Sequence, residues 1–299
     1  MMIQELREKQ VRNIRNKRRK RRIFSLLILL AVSAGLAAVY LWLQGENGSI
    51  GITTYHIGTD KVDGAYRIVL MSDLHNSEFG DHNADLVQAV KEQEPDMILM
   101  CGDMVNKDDP DVSVVTELCG QLTETADIYY ILGNHEGVLM YEEGGYKVPL
   151  DAYLTELGVT VCYNGEYTIE NGDTPLHLFA VSMEEESYEA KPDLQKAFEL
   201  FTEEEGFKIV ASHYPAILYG TLRGKEYDLA VAGHYHGGLV NIPGKGGLYH
   251  TDTGFFPEYY GGIYRLDHAQ LIVTRGLGNS SFIPRINNQP ELVLIDINS

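Results

Sequence analysis

Seven residues of metal-binding type, and one histidine beside them, fall in five short clusters along a chain of 299 residues. Asp73 and His75 lie in Asp73-Leu74-His75, Asp103 follows Gly102, and Asn134 and His135 lie in Gly133-Asn134-His135-Glu136. His213 follows Ser212, and His234 and His236 close the series in Gly233-His234-Tyr235-His236. Carboxylate, imidazole and amide oxygen together suit Mn, Fe or Zn rather than Ca or Mg alone. On an extended segment residues i and i+2 project to the same side, so Asp73 and His75 can reach one ion. Gly102 permits a tight turn, and the Asp103 carboxylate has two oxygens, enough to bridge two ions. Asn134 offers a neutral oxygen and His213 an imidazole, while His234 and His236 can serve one ion each. Two ions about 3.5–4 Å apart can hold a hydroxide between them and clamp the attacking and leaving oxygens of a displacement.

Of these ligand candidates only Asp73 and Asp103 are charged, so two divalent ions leave the site near +2, or about +1 with the hydroxide included. A pocket that stays positive favours an anionic ester, which points to phosphoester rather than amide hydrolysis. His135 is the candidate catalytic acid, placed to give a hydrogen bond or a proton to the leaving oxygen. Its neighbour Glu136 is expected to orient the ring, as carboxylates behind functional histidines often do. Cys101, directly before the Gly102-Asp103 turn, is expected to pack beneath the site.

Short apolar runs precede the first three clusters: residues 67–72 (RIVLMS), 96–100 (DMILM) and 127–132 (DIYYIL). Each is bounded by turn signals, as buried strands are. Between them, residues 83–93 and 111–124 carry apolar positions at helical spacing, such as Leu86, Val87 and Val90. Strand–helix–strand alternation predicts an α/β fold with a parallel core. Loops at the carboxyl ends of such strands are where open α/β sheets build their sites. Residues 176–181, 208–211 and 229–232 read as further strands and 193–201 as a helix. The tail adds strands at 271–274 and 292–296, with antiparallel pairing expected. Ligand candidates come from both halves, so residues 62–299 read as one catalytic domain, expected to be monomeric.

These five blocks, over roughly residues 66–240, resemble in order and spacing the signature of the calcineurin-like metallophosphoesterase superfamily. The resemblance implies a four-layer α/β/β/α sandwich. It also implies that Asp73, His75, Asp103 and His236 hold one ion, that Asp103, Asn134, His213 and His234 hold the second, and that His135 assists the leaving group. The tail (Arg275-Gly276-Leu277-Gly278, Pro284-Arg285, Pro290-Glu291-Leu292) resembles a bacterial membrane-associated branch, some members of which act on phosphodiester or pyrophosphate bonds of lipid-linked substrates. Leu239-Val240-Asn241 departs from that branch, which often has Gln and a basic residue there.

Charge is divided unevenly along the chain. Lys and Arg number 24 against 43 Asp and Glu, yet residues 1–22 hold ten basic and two acidic residues. An acidic body of this kind argues against nucleic acid as a partner, since that binding rests on neutralising phosphates. Residues 23–43 (IFSLLILLAVSAGLAAVYLWL) contain no charge and match the roughly 20 residues that cross a bilayer core. The basic block on their amino-terminal side puts the N-terminus in the cytoplasm by the positive-inside rule, and Tyr40 and Trp42 suit the far interface. The reading is a single-pass cell-membrane anchor, basic cytoplasmic tail 1–22, linker 44–61, and an extracytoplasmic catalytic domain. The alternatives are a cleaved signal peptide and, from Arg21-Arg22-Ile23-Phe24, twin-arginine export.

The function that follows is metal-dependent hydrolysis of a phosphodiester, phosphomonoester or pyrophosphate bond through a hydroxide activated by two ions, with lipid or envelope substrates favoured by membrane attachment. The alternative is a catalytically weak envelope binding or sensing protein on the same fold. His56, His82, His177 and His268 read as surface or packing residues. His250 is a candidate for lining the cleft, and residues 255–260 for walling it or touching the membrane.

Overall fold

A computed structural model of the protein describes residues 2–142, 145–172, 174–182, 184–281 and 283–298. The chain divides into two compact units, Met1–Gly45 and Glu46–Ser299. The first consists of helix throughout its described residues, part of a helix that runs over Met2–Asn47. Its Arg15–Tyr40 stretch is long and apolar enough to cross a membrane. Phe24, Leu30 and Leu36 are each about two-thirds exposed along it. An apolar surface of that kind requires an apolar partner.

In the second unit, two six-stranded sheets carry the fold. The first runs in the order Gly51–Gly58, Glu291–Asn298, Ala65–Met71, Met97–Cys101, Asp127–Ile131, Thr160–Cys162. The second runs Gly262–Leu266, Ala269–Val273, Leu229–Ala232, Phe207–Ser212, Leu176–Val181, Asn164–Ile169. The central strands are parallel in both. The tail strand Glu291–Asn298 lies antiparallel to Ala65–Met71, whereas Ala269–Val273 pairs parallel with Leu229–Ala232 and antiparallel with Gly262–Leu266.

Alternation along each strand sets the layers, because successive side chains point to opposite faces. From the first sheet, Ile68, Leu70, Leu99 and Ile131 meet Leu178, Ile209, Ala211 and Val231 of the second in one buried cluster. Their neighbours Val69, Met71, Met100 and Tyr130 pack on Leu86, Val90, Leu118 and Leu154 from helices Ala84–Lys91, Ser113–Leu122 and Leu150–Glu156. On the far side Phe179, Val210 and Ala230 pack on Phe198, Phe201 and Ile217 from helices Pro192–Glu203 and Pro215–Tyr219. The order is helices, sheet, sheet, helices: the four-layer α/β/β/α sandwich.

One boundary differs from expectation. Residues 44–61 read as a linker, yet Gly51–Gly58 is the edge strand of the first sheet, in parallel register with Glu291–Asn298. The reason is period-two patterning. Thr53, Tyr55 and Ile57 turn inward while Ile52, Thr54 and His56 face out. Thr53 Oγ1 also donates to the buried Glu291 carboxylate at 2.6 Å.

Candidate metal centre

The five clusters emerge at the carboxyl ends of five parallel strands: Ala65–Met71, Met97–Cys101, Asp127–Ile131, Phe207–Ser212 and Leu229–Ala232. Chain direction alone therefore sends all of them to one edge of their sheets. Backbone bonds tie them together. Asp73 N–H donates to Gly102 O at 2.9 Å, His75 N–H to Asp103 O at 3.1 Å, and His234 N–H to Asp73 Oδ2 at 3.0 Å. The extended geometry expected of Asp73 and His75 is not what the chain adopts. Their φ angles are 54° and 48°, and Asp103 (53°), His234 (73°) and His236 (47°) are left-handed as well. Asp and His tolerate that region better than most residues, but each such conformation costs of order 1 kcal/mol or more and persists only where surroundings enforce it. Five in one centre give sharp turns that point side chains inward. Gly102, at φ 81°, has a further reason to be glycine: a Cβ there would stand 2.7 Å from His213 Nδ1.

All seven ligand candidates and His135 converge. His75 Nε2 lies 3.2 Å from His236 Nε2, which is 3.4 Å from Asp73 Oδ1. On the other side His213 Nε2 is 3.2 Å from Asp103 Oδ2 and 3.1 Å from His234 Nδ1. Asp103 Oδ2 also faces His75 Nε2 at 4.0 Å and His135 Nε2 at 3.8 Å. Donor atoms thus gather as Asp73/His75/His236 and Asp103/His213/His234, with His75 and Asp103 also sharing a group. Imidazole nitrogens that meet at about 3 Å can share one hydrogen between them or turn both lone pairs to a shared cation. Two atoms here are also buried without a hydrogen-bond partner among the described residues, Asn134 Oδ1 and His75 Nδ1. A buried amide oxygen left bare is costly and fits a cation bound there.

Burial lowers the His75 imidazole to about 4 and His236 to about 3, so both are neutral at pH 7 and free to ligate. Burial also opposes charge on His213, but Asp103 beside it wins and raises it to about 10. Asp103 in turn sits well below the usual carboxylate range, since His213, His75 and His135 outweigh its burial. A cation entering this side must therefore displace the His213 proton.

Glu136 corrects an expectation. It does not touch the His135 ring. Its buried carboxylate accepts N–H from Asp103 and Gly133 on Oε2, and from Met104 on Oε1, each at 2.8 Å, together with the Tyr130 hydroxyl at 2.7 Å. It fastens the Asp103 turn to the Asn134 turn. Glu136→Gln would aim an amide N–H at least at one of these backbone donors, so unfolding stability should fall by about 2 kcal/mol or more. Denaturant unfolding checks it, and a change under about 0.5 kcal/mol would contradict this role. The His135 ring is oriented instead by Lys107, whose N–H donates to Nδ1 at 3.1 Å, leaving Nε2–H toward the site. The His135 N–H donates to Asp103 Oδ1 at 2.8 Å.

Beside the donors opens a cavity of about 310 Å³, walled by Asp103, Asn134, His135, His234 and His236, and across from them by Leu239, Tyr249, His250, Ser280 and Ile283. His250 therefore lines the cleft. Phe255, next to Tyr249 at 5.1 Å between rings, is 71% exposed. Cys101 is fully buried under the centre, and its carbonyl takes the His213 Nδ1–H at 2.8 Å. His177 is a packing residue hydrogen-bonded to Glu166, while His56, His82 and His268 lie at the surface. Two further groups stand beside the ligand histidines. Asp252, which no sequence reading singles out, places Oδ2 2.7 Å from His234 Nε2. Arg285 is buried and donates twice to Gly278 O, with Nη2 3.5 Å from His236 Nδ1.

A calcineurin-like phosphoesterase family model matches residues 66–238. The chain belongs to that family. It is 22% identical to the metallophosphoesterase YkoQ of Bacillus subtilis over 92% of this chain and 100% of that protein. It is 26% identical to the phosphodiesterase YaeI of Escherichia coli over 78% of this chain and 82% of that protein. A transmembrane protein with a metallophosphoesterase domain from Danio rerio is 25% identical over 77% of this chain and 52% of its own length.

Proposed function

We propose that the chain is a membrane-anchored phosphoester hydrolase whose centre takes two divalent transition metal ions (Mn, Fe or Zn). Asp73, His75, Asp103 and His236 hold one, and Asp103, Asn134, His213 and His234 hold the other. The observation that carries this reading is Asp103 Oδ2, flanked by His213 on one side and His75 on the other. When bound, the ions supply Lewis acidity and a water activated for attack on phosphorus. The chain's own groups do the rest. Two carboxylate charges leave the loaded site near +2, which draws an anionic ester into the cavity. His135, with Nδ1 engaged by Lys107, presents Nε2–H to the oxygen that departs as the P–O bond breaks. The ring carries no second N–H, so it stabilises that oxygen by a hydrogen bond, and the leaving group takes its proton from solvent.

The location argument starts from ten basic residues ahead of the apolar stretch, which favour a cytoplasmic N-terminus and an extracytoplasmic catalytic unit. An anchored enzyme meets substrates at the bilayer, so lipid-linked or envelope phosphoesters are the favoured class among phosphodiesters, monoesters and pyrophosphates. YaeI, a phosphodiesterase, supports diester hydrolysis, and the Danio rerio transmembrane protein supports anchoring. In the test, the full-length chain in detergent hydrolyses bis(4-nitrophenyl) phosphate when Mn²⁺ is supplied, loses the activity to a chelator, and regains it with Mn²⁺. No turnover, with fewer than one ion bound per chain, would contradict the reading.

A further inference from the structure

His234 differs from its neighbours in what holds its outer nitrogen. His75 Nδ1 has no partner among the described residues, and His213 Nδ1 donates to a main-chain carbonyl. His234 turns Nδ1 to the centre and places Nε2 2.7 Å from a carboxylate oxygen of Asp252. Asp252 comes from the turn between two short antiparallel strands, Tyr249–His250 and Gly254–Phe255. It is about half exposed, so an ordinary ion pair there would be loose. Local bonds aim it instead. Thr251 Oγ1 donates to Oδ1 at 3.1 Å, and the Asp252 N–H donates to His250 Nδ1 at 3.2 Å. Oδ2 is left to His234.

His234, His250 and Asp252 also place three donor atoms within 4.8 Å of one another, close enough for a cation of their own. Imidazole chemistry decides between the readings. A neutral ring has one lone-pair nitrogen. With Nδ1 facing His213 and Asp103, Nε2 bears the hydrogen, and an ion there would require His234 as an imidazolate. His250 Nδ1 is already an acceptor for Asp252. The group suits a proton better than a third ion.

We propose that Asp252 is a positioning residue: its carboxylate holds His234 as the Nε2–H tautomer with Nδ1 toward the centre, and so fixes the affinity of one ion of the pair. The inference rests on the two-ion reading above. It ties metal retention to the hairpin that walls the cavity through Tyr249 and His250, so whatever moves that hairpin loosens one ion.

Calorimetric titration of the metal-stripped full-length chain in detergent with Mn²⁺ tests it. The wild type takes up two ions. Asp252→Ala weakens one of them about 10–100-fold, the range seen when a ligand histidine loses its outer partner, and leaves the other unchanged. Asp252→Asn keeps an acceptor oxygen without the charge and falls between. A structural role for Asp252 would instead lower the melting temperature of the stripped protein without singling out one ion. The proposal is overturned if both variants bind two ions as the wild type does, or if the wild type binds three and Asp252→Ala loses only the third. If Asp252→Ala does not fold, Asp252→Asn carries the same comparison. A wild type that binds fewer than two ions would overturn this proposal together with the two-ion reading, a result visible before any variant is made.

Discussion

Asp103→Asn should lower phosphodiester turnover about 10³-fold or more, the scale set by removing a preorganised charged group from a reacting centre, and should leave at least one ion unbound. The substitution preserves volume, and the amide oxygen still accepts the His135 N–H that Asp103 Oδ1 takes at 2.8 Å. What it removes is charge at the one position both histidine sets face. Asp73 would remain as the sole ionised ligand, so the attraction for a second divalent ion falls by the larger share. Turnover and metal content measured together check this. Activity within tenfold of wild type, with two ions retained, would mean that Asp103 is not shared.

His135→Ala acts on a different quantity. The ring occupies no ligand place in the proposed scheme, so both ions should stay, while loss of the Nε2–H hydrogen bond slows turnover about 10²–10³-fold on esters with poor leaving groups. With 4-nitrophenolate as the leaving group the loss should shrink, because that oxygen spreads its charge into the ring and depends less on a hydrogen-bond donor. Equal losses on an alkyl and a nitrophenyl phosphodiester would remove His135 from its role at the leaving oxygen. Its ring has few structural duties to confuse the result: among the described residues its one hydrogen-bond partner is Lys107 N–H.

The strands that build the site are readable from sequence because they are buried on both faces. RIVLMS, DMILM and DIYYIL are continuous apolar runs for that reason. Within the two six-stranded sheets the strands that escape are Gly51–Gly58, Thr160–Cys162, Asn164–Ile169 and Gly262–Leu266, and all four are sheet edges. Edge strands need only one apolar face and tolerate glycine and polar residues, so Asn164-Gly165-Glu166 or Gly262-Ile263-Tyr264-Arg265 resembles a loop. The same division runs through the site. Asp73, His75, Asp103, Asn134, His213, His234 and His236 are marked by residue type and by the strands before them. Their left-handed turns are not, since an Asp-x-His triplet is equally compatible with extended chain. Glu136 is legible as a carboxylate near a histidine, but its task, clamping two turns through four donors, appears only once Asp103 and Gly133 are side by side. Asp252 and Arg285 lie 18 and 49 residues from the histidines they contact, with no periodicity to connect them.

The central claim is a pair of ions joined through Asp103. X-ray absorption of the Mn-loaded full-length chain measures it directly. Two ions per chain with a metal–metal distance of about 3.5–4 Å is the predicted result. A single ion per chain, or two with no metal–metal contribution near that distance, would contradict it.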